Sequence, residues 1–269
     1  MQGISRASLA AARDRVEPLL DAADSAQLGE ELFAVAAVLD SSAGLRRAMT
    51  DPSRDGDAKA SLVGRLLDGK VGADCVDLVS GMVRDRWSRA RDLADACEEL
   101  GALAVLGSAE AAGDLDAVED ELFRYGRVIE GNRELRSALG DRSRSSAHKA
   151  ALVEDLLAGK VRPQTLVLAR QASASPRGRR VGDVLESFGE AAASRRERLV
   201  ARVTAAAPLT SSQRDRLAQV LTRVYERTMH LDVDVDPELI GGLRVQVADE
   251  VIDASVLSRL DEARRRLAG

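Results

Sequence analysis

The sequence predicts a mainly α-helical protein that ends in a small α/β domain. Long stretches are mixtures of Ala, Leu, Glu and Arg, which favour helix. Only 2% of the 269 residues are aromatic, so the cores must be built from aliphatic side chains. Near the end of the chain, short runs alternate between apolar and polar residues, which is typical of strands. At this length the chain can bury sizeable cores.

An internal repeat organises the first two thirds of the chain. The segment from Leu45 to Val71 matches the segment from Leu135 to Val161 at an offset of 90 residues. The chain's four lysines fall into two of the identical pairs, which include Leu45/Leu135, Asp51/Asp141, Arg54/Arg144, Lys59/Lys149, Leu66/Leu156, Gly69/Gly159 and Lys70/Lys160. Residues 27–108 and 117–198 are therefore predicted to be two copies of one helical unit.

Further along, the repeat continues with a changed spacing. Arg89, Arg91 and Asp95 match Arg177, Arg179 and Asp183, with the offset shortened to 88 residues. The predicted domains are 1–108, an N-terminal helical bundle, 109–198, a second helical repeat, and 199–269, the α/β domain.

Each copy is predicted to consist of several short amphipathic helices. The segment 57–67 places Ala60, Val63 and Leu66 on one stripe at helical spacing. The glycine and lysine that follow, as in Gly69-Lys70, suit a helix end, since glycine adopts left-handed geometry and lysine faces the negative end of the helix dipole. Near the N-terminus, Pro18 predicts that the first helix kinks or that a new one begins there.

The last part of the chain predicts a sheet with one helix inserted. A helix capped by Thr210 or Ser211 carries apolar residues on one face. A final helix is predicted from about Ser255. The predicted strands are 199–205, 230–235, 243–247 and 251–253, the last two forming a hairpin.

Composition and charge exclude several classes of function. The net charge of -5 argues against general nucleic-acid binding, because phosphate neutralisation needs a basic surface. Cys75 and Cys97 lack the spacing of a disulfide framework or a metal site and are predicted to be buried free thiols. No signal-peptide-like N-terminus and no run of ~18 apolar residues is present, so no direct membrane insertion is expected.

Two motifs resemble chemical sites by spacing alone. Residues 64–70 have the glycine and lysine spacing of a phosphate-binding loop, but Val71 replaces the hydroxyl residue and the segment is predicted to be helix. Asp232, Asp234 and Asp236 have the spacing of a calcium loop, but strand alternation explains them more simply. No catalytic, cofactor-binding or metal-binding residue is predicted, and no cofactor is expected.

The segment 236–260 resembles the signature of the ATP synthase delta subunit family, which includes the mitochondrial oligomycin-sensitivity-conferring protein. The hairpin 243–251 belongs to the match. The other matching residues are Ile240, Gly241, Gly242, Ile252, Asp253, Ser255, Val256, Arg259 and Leu260. The resemblance is tight over 199–269 and loose over the rest, where the duplication gives one helical domain more than is usual. The family's first-helix tyrosine is absent from residues 5–12.

The resemblance implies a non-catalytic connector in the peripheral stalk of F-type ATP synthase. Its helical bundle is expected to bind N-terminal segments of the alpha subunits, and its C-terminal domain the C-terminal helix of the b subunit. The head would then be held against rotor torque during proton-driven ATP synthesis. Such a chain would lie peripherally on the cytoplasmic face of the bacterial plasma membrane, attached through the complex.

Two contact sites are hypothesised. Leu9, Ala12 and Val16 of the first helix are expected to line a groove for an alpha-subunit segment. The stalk contact is placed on the last helix, near Val256, Leu257 and Leu260, within the signature. The alternative function is a helical adaptor or regulator outside the synthase. An enzyme would need titratable groups converging in a pocket, and the sequence predicts none.

Overall fold

A computed structural model describes residues 3–20, 22, 24–197, 200–225, 229–236, 239, 241–247 and 250–253. Among them are twelve α-helices: α1 Gly3–Val16, α2 Ser25–Ser41, α3 Ala43–Thr50, α4 Gly56–Leu67, α5 Ala73–Arg84, α6 Ala90–Ala111, α7 Leu115–Gly131, α8 Arg133–Gly140, α9 Ser146–Leu157, α10 Pro163–Ala174, α11 Val181–Glu197 and α12 Ser211–Tyr225. The strands in this part of the chain are β1 Val200–Ala205, β2 His230–Val235, β3 Leu243–Val247 and β4 Glu250–Asp253. The predicted fold class is confirmed.

The repeat is visible as two matching series of helices, α2–α5 and α7–α10. Helices at equivalent places begin 90 residues apart, at Ser25/Leu115, Ala43/Arg133, Gly56/Ser146 and Ala73/Pro163. The caps correspond as well: Ser42 caps α3 by accepting from the backbone N–H of Leu45, and Asn132 caps α8 by accepting from that of Leu135. Side-chain chemistry therefore starts these helices at the same place in both copies.

The spacing of the repeat after α5 and α10 differs from the sequence prediction. The loop before α6 spans 85–89, whereas the loop before α11 spans 175–180 and is one residue longer. Arg89 at the start of α6 pairs with Asp92, and Arg180 at the start of α11 pairs with Asp183. The predicted repeat offset of 88 residues was therefore wrong. It aligned similar residues in an arginine-rich loop, whereas the first residues of α6 and α11 are 91 positions apart.

The helix ends follow the predicted chemistry. Gly69 after α4 and Gly159 after α9 adopt φ of 67° and 71°. The ammonium groups of Lys70 and Lys160 donate to the carbonyls four residues earlier, at 2.9 and 2.8 Å. The first helix does not kink at Pro18. Instead, α1 ends at Val16, and a 3-10 turn, Glu17–Leu19, contains the proline.

Helix α6 is shared by the two helical cores. Leu93, Cys97 and Leu100 of its first half belong to the core around α1–α5. Val105 and Leu106 of its second half belong to the core around α7–α11. The contacts place Met1–Ala192 in one compact unit and Ala193–Gly269 in another. The two copies therefore share a helix. That 1–108 and 109–198 are separate domains stays a prediction.

Helices α2 and α6 cross at two glycines. A Cβ on Gly29 would lie 2.5 Å from a methyl of Val105 and 2.7 Å from the carbonyl oxygen of Gly101. A Cβ on Gly101 would lie 2.8 Å from the ring of Phe33. Only glycine allows the two backbones to approach so closely, and this crossing joins the first copy to the shared helix.

The C-terminal unit is a four-stranded sheet in the order β2-β1-β3-β4. Strand β1 pairs in parallel with β2 and antiparallel with β3, and β3 forms the predicted hairpin with β4. Thr210 caps α12, accepting from the backbone N–H of Gln213. The side chains of Asp232 and Asp234 are exposed, which agrees with strand alternation.

Candidate partner-binding surfaces

The three residues hypothesised to receive an alpha-subunit segment lie inside the bundle. Leu9 is 7% exposed, and Ala12 and Val16 are fully buried in the first core. Polar contacts also fasten α1: Ser5 donates to a carboxylate oxygen of Asp92 at 2.7 Å. The structure has no open groove at these three side chains. A contact between α1 and an alpha-subunit segment stays a prediction.

The family-signature residues are described only in part. Gly241 and Gly242 have φ of 74° and 85°, which produces the backbone bend before β3. Asp253 is the last residue of β4. The other signature and stalk-contact residues, Ile240, Ser255, Val256, Leu257, Arg259 and Leu260, lie outside the described residues.

The described residues do not form a reactive centre of the kinds considered from the sequence. Burial raises the pKa of the Cys75 and Cys97 thiols to about 12, so both stay protonated at neutral pH. Within the part of the chain that the structure describes, no group of three His, Cys, Asp or Glu side chains could hold a metal ion. None of the described helices combines the length and apolar character that a membrane span requires.

A buried arginine fastens the second copy to the first. Arg177 has only 3% of its side chain exposed and reaches Asp40 at 2.5 Å, Asp95 at 2.8 Å and Glu98 at 3.5 Å. It also donates to the carbonyl of Ala94. Burial alone would lower the pKa of Arg177, but the hydrogen bond to Asp40 and the charges of Asp95 and Glu98 hold it above its ordinary value. Its backbone φ of 55° is unusual for a residue other than glycine.

Two apolar grooves lie at equivalent positions in the two copies. The first groove lies between α2, α3 and α4, has buried residues of α5 and α6 in its lining, and encloses about 100 Å³. The second lies between α7, α8 and α9 and encloses about 610 Å³. Five residues of each groove are identical in the two copies: Val38/Val128, Leu45/Leu135, Leu66/Leu156, Leu67/Leu157 and Lys70/Lys160. Sequence reasoning missed both grooves, although the repeat would have shown the matching valines.

The valines are the most exposed apolar members of these pairs. Val38 is 46% exposed and Val128 is 56% exposed, whereas the neighbouring Leu39 and Ile129 are 4% exposed and belong to the cores. Each valine therefore stands at the mouth of its groove, where a partner could cover it.

Comparison with known proteins identifies the family. The family model described as "ATP synthase delta (OSCP) subunit" matches residues 101–267. A protein of Beutenbergia cavernae named "ATP synthase subunit delta" is 55% identical over all of this chain and all of its own length. This chain belongs to the ATP synthase delta (OSCP) subunit family. Proteins with the same name from Kineococcus radiotolerans and Streptomyces avermitilis are 52% and 50% identical, each over 99% of this chain and 98% of their own length.

The family match begins inside α6, at the start of its second half. In this delta-family chain the matched residues therefore include the second copy and the C-terminal unit, and the first copy is the additional one. Relatives that align over their whole length also carry that additional segment. The match to a chain in a solved structure of the Toxoplasma gondii mitochondrial ATP synthase hexamer covers 62% of this chain and 95% of that chain, with 18% identity and a TM-score of 0.32.

Proposed function

We propose that this chain is a non-catalytic stator subunit of F-type ATP synthase. It links the alpha subunits of the catalytic head to the b subunit of the peripheral stalk and resists rotor torque during proton-driven ATP synthesis. The observation that carries the proposal is the membership of the delta family, together with full-length relatives that bear the name ATP synthase subunit delta.

The build of the helical unit supports a mechanical role. A connector that resists torque must not bend between its attachment points. The shared helix α6, the close crossing of Gly29 and Gly101 and the buried Arg177 all join the two copies within one compact unit. These contacts are distributed along the unit, so no single exposed linker separates the copies.

The two attachment points are assigned to the two units. In our proposal the helical unit contacts N-terminal segments of the alpha subunits, and the C-terminal unit contacts the C-terminal helix of the b subunit. The stalk contact lies on the segment around Val256, Leu257 and Leu260. The chain is then peripheral to the membrane, on the cytoplasmic face of the bacterial plasma membrane, and is held there through the complex.

A pull-down from detergent-solubilised membranes tests this function. The full chain is tagged and expressed at its native level, in cells whose growth shows that the tag is tolerated. We expect recovery of alpha, beta and b subunits in a stable ratio. Clean recovery of the chain without them would contradict the stator function and favour the adaptor.

A variant separates the two attachments. Leu257→Asp is expected to reduce recovery of the b subunit while alpha and beta are retained on the isolated head. The matched control is Val251→Asp, at an exposed position of β4 outside the proposed stalk contact. Unchanged recovery of b with Leu257→Asp would remove the proposed stalk contact but leave the pull-down result on function intact.

A further inference from the structure

We propose that a basic cleft in the second copy binds an anion of phosphate chemistry, and that a diphosphate group fits it best. The cleft lies between the end of α8, the start of α9 and the start of α11, and it encloses about 800 Å³. It shares no lining residue with the second apolar groove among the described residues. The inference goes beyond the stator function and does not depend on it.

The lining of the basic cleft is rich in positive charge, although the whole chain has a net charge of -5. Six cationic side chains line it together with two acidic ones, Glu130 and Asp183. The cationic residues are Arg136, Arg142, Arg144, Lys149, Arg179 and Arg180. A concave site with this excess of one sign of charge concentrates ligands of the opposite charge.

Ion pairs with acidic side chains account for only three of the six cations. These pairs are Arg144–Asp141, Arg179–Glu98 and Arg180–Asp183. Among the described residues, Arg136, Arg142 and Lys149 form no ion pair. Arg136 uses one N–H donor on the backbone carbonyl of Glu130, at 2.6 Å, and retains the others. The carboxylate of Glu130 is the one lining acid set against these three cations, so the excess of positive charge remains.

Lys149 is the strongest single indication of a ligand. Only 7% of its surface is exposed, yet its ammonium forms no hydrogen bond or ion pair with the described residues. The acid that its charge affects, Asp141, is paired with Arg144 instead. Withdrawing an ammonium from water without a counter-charge is costly. An anion in the cleft would supply that counter-charge.

The backbone around the cleft suits an anion as well. Val181 and Gly182, in the first turn of α11, belong to the lining. The first N–H groups of a helix have no partner within the helix and attract anions. Gly140 and Gly178 also line the cleft, and a Cβ on either of them or on Gly182 would meet nothing within 4 Å. The missing side chains leave room for a ligand beside the cations.

The donor set and the size of the cleft select the class of anion. A guanidinium group presents parallel N–H donors that match phosphate oxygens. The three cations without ion pairs come from α8, from the loop after it and from α9, which favours an anion with more than one charged group. The described lining has no aromatic side chain on which a nucleobase could stack. We therefore expect the diphosphate group to provide the affinity, whether it is free or esterified.

The first copy has only part of this arrangement. Lys59 is its equivalent of Lys149 and is 5% exposed. Pro52 stands at the position of Arg142, and the loop that contains Gly178 is one residue longer than its counterpart in the first copy. We therefore expect one site per chain, in the second copy.

Calorimetric titration of the full chain with pyrophosphate, at constant ionic strength, tests the proposal. We expect one site with a Kd below about 1 mM. Arg142→Gln and Lys149→Met should each weaken binding by about fivefold or more, because each removes a cation from the cleft. ADP is the second probe. Comparable binding of ADP would support recognition of the diphosphate group as an ester, whereas binding of pyrophosphate alone would assign the site to the free anion.

Two matched variants control for general attraction by charge. Arg127→Gln removes an exposed cation of α7 that lies outside the cleft, and Lys59→Met removes the equivalent lysine of the first copy; both should bind pyrophosphate as the wild type does. Arg142 is exposed, so its variant should keep the fold, which far-ultraviolet circular dichroism checks, even if Lys149→Met does not.

Absence of binding of both probes to the wild-type chain would overturn the proposal, and so would equal weakening by Arg127→Gln and Arg142→Gln. Either result would leave the stator function intact, because the pull-down tests that function separately.

Discussion

Individual side chains hold the two copies of the helical unit together, and Arg177 is the most important of them. Its guanidinium lies among three carboxylates of the first copy although it belongs to the loop before α11 of the second. A charge at this depth is stable only because partners surround it. Its place in the sequence, within an arginine-rich run, gave no sign of this role.

Arg177→Ala should destabilise the helical unit, because it leaves the carboxylates of Asp40, Asp95 and Glu98 close together without their cation. We expect a loss of roughly 2–3 kcal/mol in the free energy of unfolding, below the range for fully buried pairs because Asp40 and Asp95 are about one-third exposed. Urea denaturation measures it. Arg54→Ala, which breaks an exposed pair, should change stability by less than ~0.5 kcal/mol. Equal effects of the two substitutions would contradict the role of Arg177.

Asp51 and Asp141 form a matched pair of titrating groups. In each, the hydroxyl and then the backbone N–H of the serine two residues on, Ser53 or Ser143, lowers the carboxyl pKa. A depressed folded pKa stabilises the fold above the ordinary carboxyl pKa, and this contribution is lost as the pH falls through the folded value. Ser53→Ala should raise the pKa of Asp51 in an NMR titration and leave that of Asp141 unchanged, with the reverse for Ser143→Ala. No change in either variant would show that the serines do not set these pKa values.

At the scale of helices, packing between α2 and α6 depends on the absence of side chains. The crossing at Gly29 and Gly101 has no counterpart in the second copy, where the residue equivalent to Gly29 is Glu119. The second copy contains a different helical glycine, Gly126, around which a Cβ would meet nothing within 4 Å.

Gly29→Ala and Gly126→Ala should change stability in opposite directions. The first forces the new methyl against the backbone carbonyl of Gly101, which we expect to cost about 1–3 kcal/mol. The second adds helix propensity without a clash and should stabilise by up to about 1 kcal/mol. Thermal unfolding of the two variants beside the wild type measures both. Stabilisation by Gly29→Ala would show that the helices do not approach as closely as described.

At the scale of the whole helical unit, the shared α6 couples the two cores. The chain's one tryptophan, Trp87, is buried in the first core. Its fluorescence therefore reports on unfolding of the first copy alone.

Leu168→Ala creates a cavity in the second core, where Leu168 is fully buried, and should cost about 2–5 kcal/mol. Because α6 takes part in both cores, we expect the Trp87 fluorescence transition to move to lower urea together with the far-ultraviolet signal. Leu156→Ala, at a more exposed position of the same copy, is the control and should move both signals little. A fixed Trp87 transition with Leu168→Ala would mean that the copies unfold independently.

The sequence by itself determined the fold class, the repeat and most helix and strand positions. Those features depend on local periodicity and on capping residues such as Thr210 and Gly69, whose effect is exerted within a few neighbouring residues. The C-terminal signature also gave the family before any contact was known.

Only the tertiary structure decided how the copies are joined and which apolar residues are available. Leu9 and Val38 are both apolar residues of helices, yet one is buried in the core and the other is 46% exposed at a groove. The repeat offset around Arg177 was likewise misassigned in the sequence analysis. The position of an inserted loop residue follows from where the helices begin, and similar residues within the loop do not reveal it. Burial depends on what the rest of the chain places against a helix face, and helical periodicity contains no information about that partner.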